Sequence, residues 1–224
     1  MRESPMDIRT KDHISENYNR ISKWYDAVAG RNESQLRKAG LIQLDATHGE
    51  TILEIGFGTG HSIVEIAQAV GVSGKVYGID VSDRMLELAQ ARAAATGHGN
   101  RIILSCGNAL ILPYADNSFD ALFMSFTLEV FEEEQVTAFL HQCKRVIRPD
   151  GRICVVAMSA RGRHTIMMKV YEWAHRAFPN TIDCRPIDAE QLLLNAGFRT
   201  IKQYISSFWG LSVEIVESRK PAHV

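Results

Sequence analysis

The stretch Thr51–Gly60, TILEIGFGTG, places three glycines at alternate positions behind a short apolar run that contains one acid. Thr51, Ile52, Leu53 and Ile55 read as a buried strand of the kind a parallel sheet needs, because a strand covered on both faces is apolar along its length. Gly56, Gly58 and Gly60 then turn the chain into a helix that starts near His61. Glycine suits such a turn: it adopts dihedrals closed to other residues, and its missing Cβ lets a ligand approach the main chain. The free N–H groups and positive dipole end of the helix suit an anionic group on a small molecule.

The glycine spacing bears on which small molecule this is. A dinucleotide fingerprint reads G-x-G-x-x-G; here the order is G-F-G-T-G, with His61 where the third glycine would stand, which argues against a nicotinamide cofactor. Lys75 to Asp80 is a second strand, apolar at Val76, Tyr77 and Ile79, and it closes on an acid. A βαβ unit brings the end of its second strand beside the glycine turn, so Asp80 can accept hydrogen bonds from the ribose hydroxyls of an adenosine. That role is common to both cofactors and does not choose between them. Ser82 is placed to N-cap a third helix running to about Ala95, with Asp83 in its first turn.

Leu53 to Gly60, with Glu54 two residues before the first glycine, resembles motif I of the class I S-adenosylmethionine-dependent methyltransferases, commonly written (L/V)(L/D)(E/D)xGxGxG. Gly107 to Asp120, GNALILPYADNSFD, resembles the family's G-D-A-x-x-L-P-(F/Y)-x-(D/E)-x-x-F-D, with Asn108 in place of the acid. RVIRPDGR, from Arg145 to Arg152, resembles R-V-L-K-P-G-G-x. Over roughly Tyr18 to Val156 the chain is similar to the quinone C-methylating enzymes of ubiquinone and menaquinone biosynthesis.

The resemblance implies an α/β fold: a Rossmann-like, seven-stranded, mostly parallel sheet with helices on both faces and an antiparallel C-terminal edge. It implies S-adenosylmethionine as cofactor, held by Glu54, Gly56, Phe57, Gly58 and Gly60 at the turn, by Asp80, Val81 and Met85 after the second strand, and by Gly107, Asn108 and Ala109 after the third. At Asn108 the amide oxygen can accept from an exocyclic amine and the NH₂ can donate to a ring nitrogen. Ser125 and Phe126, at the carboxyl end of the fourth strand, complete the set. Tyr18 and Tyr25 join it from an N-terminal helix whose Tyr25-Asp26 pair matches the family's lid; an aromatic lid attracts a sulfonium cation and shields it from water.

The remaining segments follow the same alternation of strand and helix. Apolar residues at Ile14, Tyr18, Ile21, Tyr25 and Val28 mark an amphipathic helix, and a second runs from about Ser34 to Leu44. The spacing predicts strands over Arg101–Cys106, Phe119–Ser125 and Arg152–Met158, and a helix over Glu132–Arg148 that the turn Pro149-Asp150-Gly151 stops. Helices over Arg161–Phe178 and Pro186–Ala196 precede a strand pair, Phe198–Ser206 and Leu211–Ser218. The expected organisation is a single domain over 1–224: an N-terminal helical lid to 45, a cofactor-binding core from 46 to 158, and a helical cover with the hairpin from 159.

A chain of 224 residues with a net charge of −1 and a pI near 6.7 can bury one substantial core, and offers no basic field for nucleic acid or anionic lipid. The polar N-terminus and the lack of a long apolar run predict a cytoplasmic protein without a membrane span, monomeric or homodimeric. Cys106, Cys143, Cys154 and Cys184 have no metal-ligand spacing, so no metal is expected.

A methyl group on a sulfonium is already activated, and methyl transfer needs a base only where the acceptor must lose a proton. No triad stands out. The candidate bases are His61, Glu129, His164, Tyr171, His175 and Tyr204, with Glu129 favoured because it follows the fourth strand. An apolar acceptor side is expected from Tyr18, Tyr25, Trp173, Phe208 and Trp209, hence a small apolar or aromatic methyl acceptor. The competing readings are a protein that binds S-adenosylmethionine without turnover, and an NAD-dependent oxidoreductase.

Overall fold

A computed structural model of the chain describes residues 30–161, 185–208 and 211–222. The N-terminal helix expected over Ile14–Val28 and the helix expected over Arg161–Phe178 lie outside these residues but for Arg161. The seven strands are β1 (Thr51–Ile55), β2 (Lys75–Asp80), β3 (Ile102–Cys106), β4 (Phe119–Ser125), β5 (Ile147–Met158), β6 (Arg199–Phe208) and β7 (Leu211–Arg219). They form one sheet in the order β3-β2-β1-β4-β5-β7-β6. The first five run parallel and the last two antiparallel, giving the Rossmann-like fold with an antiparallel edge.

Strand alternation sends the core to both faces. Ile52, Val76, Ala121, Phe123, Cys154 and Val156 face α1 (Gly30–Leu44), α2 (His61–Val70) and α3 (Asp83–Ala95), where Ile63, Ile66, Val70, Met85 and Ala89 meet them. Leu53, Ile55, Leu122, Met124, Ile153 and Val155 face α4 (Glu133–Val146) and α5 (Ala189–Asn195) through Val136, Phe139, Leu140 and Leu193. Each buried Val, Leu, Ile, Phe or Met among these contributes roughly 1.5 to 3 kcal/mol.

α1 comes close to the sheet at Gly40, where a Cβ would lie 2.3 Å from Val156 Cγ2 and 3.1 Å from Phe123 Cε2. The Cys154 thiol donates to the Gly40 carbonyl across the same contact (3.3 Å). Gly40→Ala is therefore expected to destabilise by about 1 to 3 kcal/mol through overpacking, despite the roughly 1 kcal/mol by which alanine favours a helix. A lowered urea midpoint would show this; an unchanged one would mean that the helix does not rest on the sheet there.

Several boundaries differ from expectation, α1 for one beginning at Gly30 rather than about Ser34. α4 stops at Val146 because Ile147 is already extended and pairs with Phe119 of β4. The residue before a proline disfavours helix, which pushes Arg148 the same way. The Pro149-Asp150-Gly151 turn is thus an excursion inside β5, with the Asp150 N–H on the Lys220 carbonyl (3.0 Å). α5 begins at Ala189 rather than Pro186, since Ile187 bridges Ser159 in parallel and Asp188 caps the helix through Gln191 N–H (2.9 Å). β6 runs on to Phe208.

Candidate active site

The chain leaves β1 for β2 and β3 on one side, then crosses to β4 on the other, so the carboxyl ends of β1 and β4 flank the point where the strand order reverses. Ligands of open α/β sheets bind there. A pocket with a cavity volume of about 110 Å³, partly open to solvent, occupies that place.

Its floor is the glycine turn. The Gly56 N–H donates to the Ile79 carbonyl (2.8 Å), hanging the turn on the neighbouring strand. Gly56 has φ 73°, and a Cβ on it would lie 2.4 Å from Thr127 Oγ1, so both backbone and space require glycine. Gly58 differs, for a Cβ there would meet nothing within 4 Å. Its open side belongs to the pocket.

Asp80 is 8% exposed at the end of β2 and its carboxylate is held from two directions. Gly58 N–H donates to Oδ2 (2.8 Å) and Ser82 N–H to Oδ1 (3.0 Å), and with Val81 N–H also bonded to it the fixed carboxylate keeps acceptor capacity to spare. Burial pushes its pKa up, against the opposing hydrogen bonds from Ser82, Gly58 and Val81. Asn108 is partly committed, because its Oδ1 accepts from Leu110 N–H (2.9 Å). Asn108 also lines the pocket.

The remaining wall is apolar: Ile55, Ile79, Met85, Val130 and Phe131. Phe131 is braced by a stacked ring, Phe139, with centroids 4.1 Å apart, and its carbonyl accepts from Arg185 Nη2 (3.1 Å). Ser125 lines the pocket with a buried Oγ that has no hydrogen-bond partner. Phe126 has φ 54°, a conformation that costs a non-glycine residue about 1 to 3 kcal/mol, and its N–H donates to the Val156 carbonyl (2.8 Å).

Of the residues expected at the cofactor, Gly56, Gly58, Asp80, Val81 and Met85 line this pocket, as do Gly107, Asn108, Ala109, Ser125 and Phe126. Glu54, Phe57 and Gly60 lie outside its lining. Phe57 is a core residue, packed so that a Cβ on Gly78 would meet its ring at 2.7 Å. Gly60, at φ 81°, lets α2 and α3 approach, a Cβ there meeting Ala89 at 2.7 Å. Tyr18, Tyr25, His164, Tyr171, Trp173, His175 and Trp209 are outside the described residues. His61 is exposed at the first residue of α2, and Tyr204 is 57% exposed on the edge strand β6; neither lines the pocket. Thr127, Val130 and Phe131 were not anticipated as wall residues, and their one signal is their position directly after β4.

Two acids beside the pocket are wholly buried. Burial pushes Glu54 up to about 8, opposed by the Ser62 hydroxyl and the Arg37 charge and reinforced by Asp80 and Glu65. Burial likewise pushes Glu129 up to about 8, against hydrogen bonds from its own N–H and that of Met158 and with Glu214 and Glu33 adding to the rise. Glu129, favoured from sequence as a base, is 1% exposed and does not line the pocket. Asp80 is the only ionisable side chain in the lining among the described residues.

Fold and site together define a doubly wound α/β domain with a ligand pocket at its switch point. The sequence profile of a methyltransferase domain family matches residues 52–151. The demethylmenaquinone methyltransferase of Symbiobacterium thermophilum is 33% identical over 159 residues, covering 68% of this chain and 62% of that protein. The ubiquinone/menaquinone biosynthesis C-methyltransferase of Hahella chejuensis is 30% identical over 171 residues, covering 71% and 67%. The chain thus spans between three fifths and two thirds of these relatives' length. Among solved structures, the [4+2]-cyclase SpnF superimposes with a TM-score of 0.75 at 19% identity, over 95% of this chain and 97% of that one, a likeness of fold alone.

The chain belongs to the S-adenosylmethionine-dependent methyltransferases. Their cofactor is S-adenosylmethionine, and the pocket suits it: Gly58 presents bare main chain, Asp80 holds spare acceptor capacity, and the Ser125 hydroxyl is buried with no partner among the described residues.

Proposed function

We propose that the chain transfers a methyl group from S-adenosylmethionine to a small apolar or aromatic acceptor. In this reading Asp80 receives the ribose hydroxyls, the open main chain at Gly58 lies along the amino-acid tail, and Met85 and Asn108 border the adenine. Ser125 supplies a buried polar contact from the end of β4. The cofactor brings an activated methyl on a sulfonium, so the protein's share is alignment and exclusion of water. Proximity and orientation supply up to about 7 to 11 kcal/mol in such reactions.

The observation that carries this reading is the anchored Asp80 beside the bare Gly58 in a pocket whose other walls are mostly apolar, with Asn108, Ser125 and Thr127 as the further polar residues. A described lining without a basic side chain suits an acceptor that is nucleophilic on its own, such as an electron-rich ring carbon. The quinone C-methylating relatives, which the chain matches over about two thirds of its length, support that acceptor class. Lid contacts from Tyr18 and Tyr25, a cytoplasmic location, and a monomer or homodimer without nucleic-acid partners belong to the same proposal. Among the described residues no helix is long and apolar enough to cross a membrane.

Incubation with methyl-labelled S-adenosylmethionine and a panel of reduced naphthoquinones and benzoquinones tests it. Label is expected on carbon of the ring. Label on none of them, from a chain that binds the cofactor, would favour the reading of binding without turnover.

A further inference from the structure

The turn after β4 carries one side of the pocket yet has left the sheet. Phe126 N–H makes the last ladder bond to β5, at the Val156 carbonyl (2.8 Å), and the chain then enters a short 3₁₀ turn, Leu128–Val130. Two side chains reach back: Thr127 Oγ1 donates to the Ser125 carbonyl of β4 (3.2 Å), and Glu129 Oε1 accepts from the Met158 N–H at the end of β5 (3.1 Å), so that Glu129 makes the tie to β5. The other oxygen of Glu129, Oε2, is buried and has no hydrogen-bond partner. The residues on either side of it, Thr127, Val130 and Phe131, line the pocket.

Among the described residues the charged groups facing this carboxyl are acids, Glu214 from β7 and Glu33 from α1. Glu214 is itself engaged, accepting from Ala189 N–H (2.6 Å) and Gln203 Nε2 (3.3 Å), with Asp188 and Arg161 beyond it. No described cation pairs with Glu129. A protonated carboxyl keeps a carbonyl oxygen for Met158 and carries no charge, whereas an ionised one in the same place would be shut off from solvent with no counter-ion among the described residues.

We propose that Glu129 is a proton-operated latch for the pocket wall: its buried carboxyl ties the turn bearing Thr127, Val130 and Phe131 to β5, and ionising it releases that wall. Glu129 is a positioning residue, with no contact to the reacting atoms. It stays closed at neutral pH and opens in mild alkali, where hydration of the carboxylate requires the turn to move outward. Cofactor affinity falls with it. That last consequence rests on the methyltransferase reading; the latch itself does not.

Hydrogen–deuterium exchange of the free chain tests the latch directly, at about pH 6 and about pH 9 after correction for base catalysis. The peptide 126–132 in the wild-type chain is expected to lose about tenfold more protection than in Glu129→Gln, whose amide keeps an acceptor for Met158 and cannot ionise. Equal losses in the two chains overturn the latch. The wild-type chain also decides alone: protection of 126–132 must fall more steeply with pH than that of β4, and parallel falls overturn the proposal even if the variant does not fold.

S-adenosylhomocysteine binding then reads the link to the site. The ratio of wild-type to Glu129→Gln Kd should rise about tenfold between about pH 7 and about pH 9, the ligand's own titration cancelling in the ratio. A constant ratio overturns the role in binding. Failure of S-adenosylhomocysteine to bind at any pH contradicts the cofactor reading, while the exchange result still decides the latch.

Discussion

Glu54→Gln is expected to gain about 3 to 4 kcal/mol of folding stability relative to the wild-type chain as the pH rises from about 5 to about 8. The sign follows from the environment. Glu54 is 2% exposed on the α2 side of β1, with one carboxyl oxygen lacking any partner. Burial moves its pKa from 4.5 to about 8, so the folded chain holds a proton that the unfolded chain has lost across that interval. A group whose pKa is raised on folding contributes its full stability below the unfolded value and loses it as the pH passes through the folded value, here between 4.5 and about 8. Glutamine has no proton to lose. Urea unfolding at the two pH values gives the result as a difference of differences, and parallel pH profiles for the two proteins would show that Glu54 is ionised in the fold and held there by a counter-charge.

Asp80→Ala carries the second large effect. One carboxylate organises two main-chain groups, Gly58 N–H and Ser82 N–H, and by the proposal also receives the ribose. Hydrogen bonds to a charged group are worth about 1.5 to 3 kcal/mol, so affinity for S-adenosylhomocysteine should fall roughly 10- to 100-fold. Asp80→Asn retains one acceptor and should lie between. Both variants must still unfold cooperatively, which separates loss of a ligand contact from loss of the turn. Unchanged affinity in Asp80→Ala would place the ribose elsewhere.

The parts of the site legible in the sequence are those whose physics is local. A strand ending in alternate glycines must turn sharply, and an acid closing the next strand must stand beside that turn; Gly56, Gly58 and Asp80 follow from this. Asn108 was legible as a departure from a pattern, but its Oδ1 bond to Leu110 N–H depends on loop geometry that residue identity does not specify. Glu54 shows the limit of motif matching. It stands one residue out of phase with Ile55, and strand alternation sends it to the opposite face from the pocket.

Phe131 and Glu129 lie further from what a sequence encodes. The wall position of Phe131 is set by stacking on Phe139, eight residues along and on another element, and the orientation of Glu129 by an N–H of β5. The LPYADNSFD run is a related case. Its carbonyls at Leu112 and Tyr114 and its Asp116 all bind Arg145 (2.9, 2.7 and 2.8 Å), so much of that motif fastens a loop to α4 rather than contacting the pocket. RVIRPDGR supplies that arginine, which ties together two stretches that looked independent.

Everything functional depends on an adenosine bearing an amino-acid tail seated between the glycine turn and Asp80. Calorimetric titration of the wild-type chain with S-adenosylhomocysteine and, separately, with NADH tests this most directly. Saturable one-to-one binding of S-adenosylhomocysteine, weakened by Asp80→Ala, with no heat from NADH, is the predicted result. Saturable binding of NADH with none of S-adenosylhomocysteine would contradict it.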